Sequence, residues 1–243
     1  MLRAFQTALL FMTTLPVTAP KDWRDDDARR SVQAYPLVGL VLGLLLALAL
    51  YLLGGLPASL RATLCVALWL LLTGALHFDG LCDTADAAFA SKTPEERQRI
   101  AKDPSIGAFA FAAGATLLLV KINALAHLPN VLWLVVIITL SRTLFVWPMA
   151  RLRLNDSSTL GRSARLSQTE AIAPLVLGLG ISAVLAFFYL DLIAFLSVLI
   201  VGSLYTVAIA LWLESRLDGL NGDTYGALIE TSEAAMLVAL AAL

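Results

Sequence analysis

An all-α, polytopic bundle of membrane-spanning helices is the fold class this sequence predicts, and three observations predict it. Of 243 residues, 59% are hydrophobic and only 14% are charged, against about 25% charged in a soluble domain. The mean hydropathy is +0.83, far from the composition of a disordered chain. The apolar residues also gather in runs long enough to cross a bilayer, separated by short polar segments. Seventeen basic residues against eighteen acidic ones leave no positive excess for a nucleic acid, so no nucleic-acid partner is expected. Cys65 sits in an apolar run and Cys82 in an acidic segment, which is neither a disulfide framework nor a zinc site.

The elements follow in order. Met1–Val17 holds Arg3 and an apolar stretch ending near Pro16. It lacks a small-residue cleavage site and reads as a retained interfacial or re-entrant helix. A spanning helix needs roughly 20 apolar residues. The candidates are Pro36–Leu53, Leu60–Leu76, Ile106–Ala126, Val131–Met149, Pro174–Leu190, Leu192–Leu213 and a short last one near Glu230–Leu243. That makes about six or seven spans, with residues 1–243 forming a single integral membrane catalytic domain.

Charge orders these spans. Lys21, Arg24, Arg29 and Arg30 fall in one loop, Lys92, Arg97, Arg99 and Lys102 in the next but one, then Arg151, Arg153, Arg162 and Arg165, and finally Arg216. The opposite loops hold only Arg61. By the positive-inside rule the long polar loops are cytoplasmic, and the basic loop at 151–165 suits anionic membrane lipid. Of the acids, only Asp191 falls on the opposite side. Gly39 and Gly43 form a small-xxx-small pair, which predicts close helix packing inside the bundle or, as the competing reading, the seam of a homo-oligomer.

The chemistry concentrates in two acidic stretches. After the second span the chain reads His77-Phe78-Asp79-Gly80-Leu81-Cys82-Asp83-Thr84-Ala85-Asp86. In a helix Asp79, Asp83 and Asp86 share one face, and three stacked carboxylates repel unless a cation compensates. Carboxylates alone suit Mg²⁺ or Mn²⁺. A solvated acidic loop is the alternative. Asp103 or Ser105 can cap the helix that follows, with Pro104 in its first turn, and a helix N-terminus there is also an anion site.

The second stretch, Asp218 to Glu233, puts Asp223, Glu230 and Glu233 on one helical face, among Gly219, Gly222 and Gly226. Glycines of this kind give a backbone that a phosphate can approach. Lys121 and Arg142 lie inside apolar helices and are functional candidates on that ground. Arg142 suits phosphate oxygens through its planar fork, and snorkelling competes for Lys121. Helical carboxylates, a divalent metal, arginine and mobile glycine loops together suit phosphoryl transfer.

Residues 74–86 resemble the signature of the cobalamin synthase family. The likeness continues through Lys102-Asp103-Pro104-Ser105-Ile106-Gly107, Lys121 and Ser141-Arg142. It resumes at Gly219-Leu220-Asn221-Gly222-Asp223-Thr224-Tyr225-Gly226 with Glu230 and Glu233. Phe11–Val17 and Tyr35–Gly39 also fit. Cys82, Ala87, Pro104, Asp218 and Asn221 depart from the usual residues, and no carboxylate is lost.

The resemblance implies a Mg²⁺-dependent inner-membrane enzyme that joins adenosylcobinamide-GDP to alpha-ribazole or its 5'-phosphate, releasing GMP. It implies metal ligands among Asp79, Asp83, Asp86, Asp223, Glu230 and Glu233, and a catalytic set of Asp83, Asp79, Asp103, His77 and Arg142. The base is Asp103, His77 or a cluster carboxylate. Lys102, Ser105, Lys121, Asn221 and Gly222 are the implied cofactor-binding positions. Two rivals differ in their expectations. A CDP-alcohol phosphotransferase needs an Asp-x-x-Asp-Gly-x-x-Ala-Arg core that is not met, and a cation transporter needs mid-membrane acids in repeated halves.

Overall fold

The computed structural model describes every residue except 21, 25 and 156–158, and gives no side chains for 159 and 160. Lys21, one of the loop cations, lies outside the described residues. The described chain is helical from end to end. In order the helices are α1 (Leu2–Met12), α2 (Asp27–Val32), α3 (Tyr35–Leu52), α4 (Ala58–Thr73), α5 (Leu76–Phe89), α6 (Pro94–Ile100) and α7 (Ala108–Ala126). They continue with α8 (Leu132–Leu144), α9 (Val146–Arg151), α10 (Thr159–Ala164), α11 (Ile172–Tyr189), α12 (Leu192–Leu217) and α13 (Gly222–Ala241).

Five of the described helices are long and apolar enough to cross a membrane: α3, α7, α8 continued into α9, α11 and α12. A sixth is reached if α4 and α5 count together as one broken span. The chain is therefore a multi-pass membrane protein. α8 is its central pillar, buried from Trp133 to Thr143, whereas α11 and α12 leave most of their surface outward. Phe187, Phe188 and Tyr189 are exposed together at the end of α11, where an aromatic cluster suits a membrane–water boundary.

Two of the sequence expectations change. The second span, expected to reach Leu76, ends at Thr73, and the acidic stretch forms a helix of its own. Gly74 and Ala75 both take left-handed backbone, φ 58° and 54°, and α5 leaves α4 at 91°. α4 alone has 16 residues, about 24 Å at 1.5 Å per residue against a hydrocarbon core of about 30 Å. α5 carries three aspartates, turns aside and lies outside the five spanning helices. The last span differs too. The helix begins at Gly222, eight residues before the expected start, and runs 20 residues inside the protein. Its acids keep it from facing lipid, and protein surrounds them instead.

The small-residue pair is used within one chain. A Cβ on Gly39 would lie 2.7 Å from the carbonyl oxygen of Ile138, and one on Gly43 would lie 2.6 Å from Cα of Val135. α3 and α8 thus meet backbone to backbone, and the contact that a homo-oligomer seam would use is already occupied.

Candidate active site

α5 and α13 build the site by crossing closely. A Cβ on Gly80 would stand 2.8 Å from the carbonyl oxygen of Asp223, and one on Gly226 3.0 Å from that of His77. Only glycine lets these backbones touch. The crossing sets the acidic face of α5 beside the first turn of α13. Burial, with the charges of Asp79, Asp223 and Asp86, pushes the Asp83 carboxyl up to about 6. Burial and Asp79 raise Asp223 also, while the Asn221 amide, donating to its carboxylate at 3.1 Å, opposes the rise. No ion pair to Asp79, Asp83 or Asp223 is present among the described residues. The three carboxylates therefore lie near enough to raise one another's charge cost, with no ion pair to relieve it among the described residues.

The start of α13 is fixed by a capping box. Asn221 accepts from the Thr224 N–H at 3.0 Å, and Thr224 Oγ1 accepts from the Asn221 N–H at 2.8 Å. Of the three glycines expected to form a phosphate-approachable loop, Gly226 is used for packing. Gly219 (φ 119°) is pressed against the backbone of Asn155, and Gly222 alone faces open space. Asp218 takes the left-handed φ of 54°, which Asp tolerates better than most residues.

The other sequence-named residues fall in two further places. Among the described residues Asp86, unlike Asp79 and Asp83, has backbone partners. It accepts from the Gly107 N–H at 2.7 Å and the Ala110 N–H at 2.9 Å, so a side chain from α5 caps the start of α7. The expected caps, Asp103 and Ser105, instead close a local turn on each other at 2.5 Å. Those bonds from Ser105 lower the Asp103 pKa. Pro104 lies outside the helix because α7 starts only at Ala108. Lys102, Asp103 and Ser105 are all exposed.

Glu230 and Glu233 turn inward. Lys121 Nζ lies 2.6 Å from both and 4.1 Å from the ring centroid of Trp69. Arg142 pairs with the other oxygen of Glu233, to which Ser141 Oγ also donates at 3.0 Å. Two cations and two carboxylates thus form a buried neutral quartet joining α7, α8 and α13. Lys121 is not snorkelling, and Arg142 faces glutamate. His77 is buried in the first turn of α5, with Nδ1 unpartnered.

Arg97, counted from sequence among the loop cations, is buried. It donates to the carbonyls of Ala90 and Arg216, while Arg216 donates to that of Ala88. Both arginines serve the C-terminal end of α5. The capping box of Thr93 and Glu96 forms as its sequence suggests.

Among the described residues no three His, Cys, Asp or Glu side chains converge tightly enough to cage a metal ion. The donor chemistry still fits Mg²⁺, which keeps several waters and is held by one or two carboxylates together with substrate phosphate.

A model of the cobalamin-5-phosphate synthase family matches residues 4–241. A protein of Deinococcus radiodurans called adenosylcobinamide-GDP ribazoletransferase is 38% identical over 97% of this chain and 84% of its own length. Proteins of the same name from Ectopseudomonas mendocina and Pseudomonas aeruginosa are 39% and 37% identical. They cover 96% and 99% of this chain, and 96% and 98% of their own. No solved structure matches.

Proposed function

The chain belongs to the cobalamin-5-phosphate synthase family and is an enzyme, and from that premise we propose the reaction it performs. It joins adenosylcobinamide-GDP to alpha-ribazole or alpha-ribazole 5'-phosphate, giving adenosylcobalamin or its 5'-phosphate and GMP. The observation that carries the reading furthest is the α5–α13 crossing, which brings Asp79 and Asp83 beside Asp223 with no ion pair to any of them among the described residues. Such a place suits a metal–phosphate substrate.

Asp79, Asp83 and Asp223 would hold Mg²⁺, or Mn²⁺ in its place. The ion supplies neutralisation of the phosphate oxygens and of the departing GMP. Asp86 is engaged with α7, and Glu230 and Glu233 with Lys121 and Arg142, so the proposed ligands are drawn from Asp79, Asp83 and Asp223, one or two of them acting with substrate phosphate. In the reaction the ribazole hydroxyl oxygen bonds to the cobinamide-side phosphorus, and the bond from that phosphorus to the GMP oxygen breaks. A carboxylate of the cluster takes the hydroxyl proton. Gly222, open at the first turn of α13, lets the phosphates approach the backbone. Lys102 and Ser105, on the loop that Asp86 ties to α5, contact the nucleotide. The excess of basic residues in the loops around α5–α7, α9–α11 and α12–α13 supports a cytoplasmic site in the bacterial inner membrane.

The test is GMP release by the purified chain in liposomes from adenosylcobinamide-GDP and alpha-ribazole 5'-phosphate, with Mg²⁺ and with EDTA. Release should require Mg²⁺, and Asp83→Asn and Asp223→Asn should each lose about a hundredfold or more, about 2.7 kcal/mol of barrier. Folded wild-type protein that releases no GMP with Mg²⁺ would overturn the reaction.

A further inference from the structure

A cavity of about 220 Å³ lies beside the carboxylates, enclosed by α1, α2, α3, α9, α10, α13 and the start of α5. Its walls are aromatic. Tyr35, Phe145 and Tyr225 line it as a continuous row, with ring centroids 5.8 Å and 5.9 Å apart, and Phe11 and Trp23 complete it on the α1–α2 side. At one end the lining is Gly222 and Asp223, the first turn of α13. His77 and Tyr225 also line it. They are 4% and 6% exposed, and His77 Nδ1 and the Tyr225 hydroxyl have no hydrogen-bond partner. A buried polar atom left unpaired costs about 1–3 kcal/mol, and a ligand with a matching atom removes that cost.

We propose that this cavity holds the base of the acceptor nucleoside, with its ribose at the carboxylates. The assignment rests on the reaction proposed above. Ribazole carries a benzimidazole, a flat, largely apolar two-ring system with one free ring nitrogen that accepts a hydrogen bond. An apolar cavity of about 150 Å³ admits benzene, so 220 Å³ takes a second fused ring. The row of Tyr35, Phe145 and Tyr225 offers such a ring a surface to stack on, and the unpartnered Tyr225 hydroxyl donates to the free nitrogen. A base seated here brings its ribose to Gly222 and Asp223, where the attacking hydroxyl is needed.

The experiment is equilibrium dialysis of labelled alpha-ribazole and, separately, of adenosylcobinamide-GDP against the full-length chain in detergent, alongside GMP release. Ala28→Leu and Ala164→Leu each push a larger side chain into the cavity, from α2 and from α10, and either alone suffices if the other fails to fold. Each should weaken alpha-ribazole binding about tenfold or more and leave adenosylcobinamide-GDP within about twofold. Tyr225→Phe should weaken alpha-ribazole about tenfold yet leave an indole riboside, which lacks the accepting nitrogen, unchanged. A merely structural role for Tyr225 would weaken both ligands equally and overturn the proposed hydrogen bond. Folded Leu variants that bind alpha-ribazole like wild type, or lose adenosylcobinamide-GDP instead, overturn the cavity assignment while wild-type turnover keeps the reaction standing. Wild-type protein that neither binds alpha-ribazole nor releases GMP overturns both.

Discussion

Lys121 stands 2.6 Å from two carboxylates at the middle of the bundle, so its charge is part of the fold. Breaking a buried ion pair by removing one partner costs about 3–5 kcal/mol, because the remaining charge is stranded. Lys121→Met should therefore lower the thermal midpoint in detergent sharply. Adding Glu230→Gln should recover part of the loss, since a neutral amide no longer needs the ammonium. Full additivity of the two losses would contradict the quartet. The aspartates of α5 separate in the same way. Asp86→Ala removes the acceptor for two N–H groups at the start of α7, and should cost about 1 kcal/mol in urea unfolding. Asp83→Asn removes a repelled charge and should unfold at a higher midpoint than wild type. If Asp86→Ala unfolds at the wild-type midpoint or above it, the assignment of Asp86 to capping is wrong. Sequence spacing placed these two residues on one helix face, but it was silent on which had N–H partners.

Helix crossings are set by where glycine permits contact. A Cβ on Gly80 would meet the carbonyl oxygen of Asp223 at 2.8 Å, and one on Gly39 that of Ile138 at 2.7 Å, whereas Gly180 has nothing within 4 Å. Overpacking of this kind typically costs about 1–3 kcal/mol. Gly39→Ala should lower the unfolding midpoint, and Gly180→Ala, with open space around it in a helix interior, should not lower it. Gly80→Ala should reduce GMP release more than its loss of stability explains, because it moves α5 off the carboxylate of Asp223. Proportionate losses of activity and stability at Gly80 would detach this crossing from the site. From sequence, Gly80 reads as a weakness in the acidic helix. Only the neighbouring backbone shows why a side chain does not fit there.

At the scale of the molecule, α1 and α2 close one side of the cavity and are held by an ion pair outside the bundle. Arg3 donates to Asp27 through Nε at 2.8 Å, and this hydrogen bond holds the Asp27 carboxyl down to about 2 from its ordinary 3.8. A depressed carboxyl contributes stability above its unfolded pKa and loses it as pH falls through the folded one. The stability gap between wild type and Asp27→Asn should be full at pH 5 and close between about pH 4 and 2. A gap that persists at pH 2 would show that the pair does not hold these helices. The sequence by itself determined the membrane class, the order of most spans, the acidic face of α5 and the family resemblance, because hydropathy and helical periodicity are properties of consecutive residues. Tertiary structure decided the 91° turn after Gly74, the pairing of Glu230 and Glu233 with Lys121 and Arg142, the capping role of Asp86 and the aromatic cavity. Each of these depends on residues far apart in the chain, and their partners are chosen by packing and by the cost of burying charge, which no local pattern encodes.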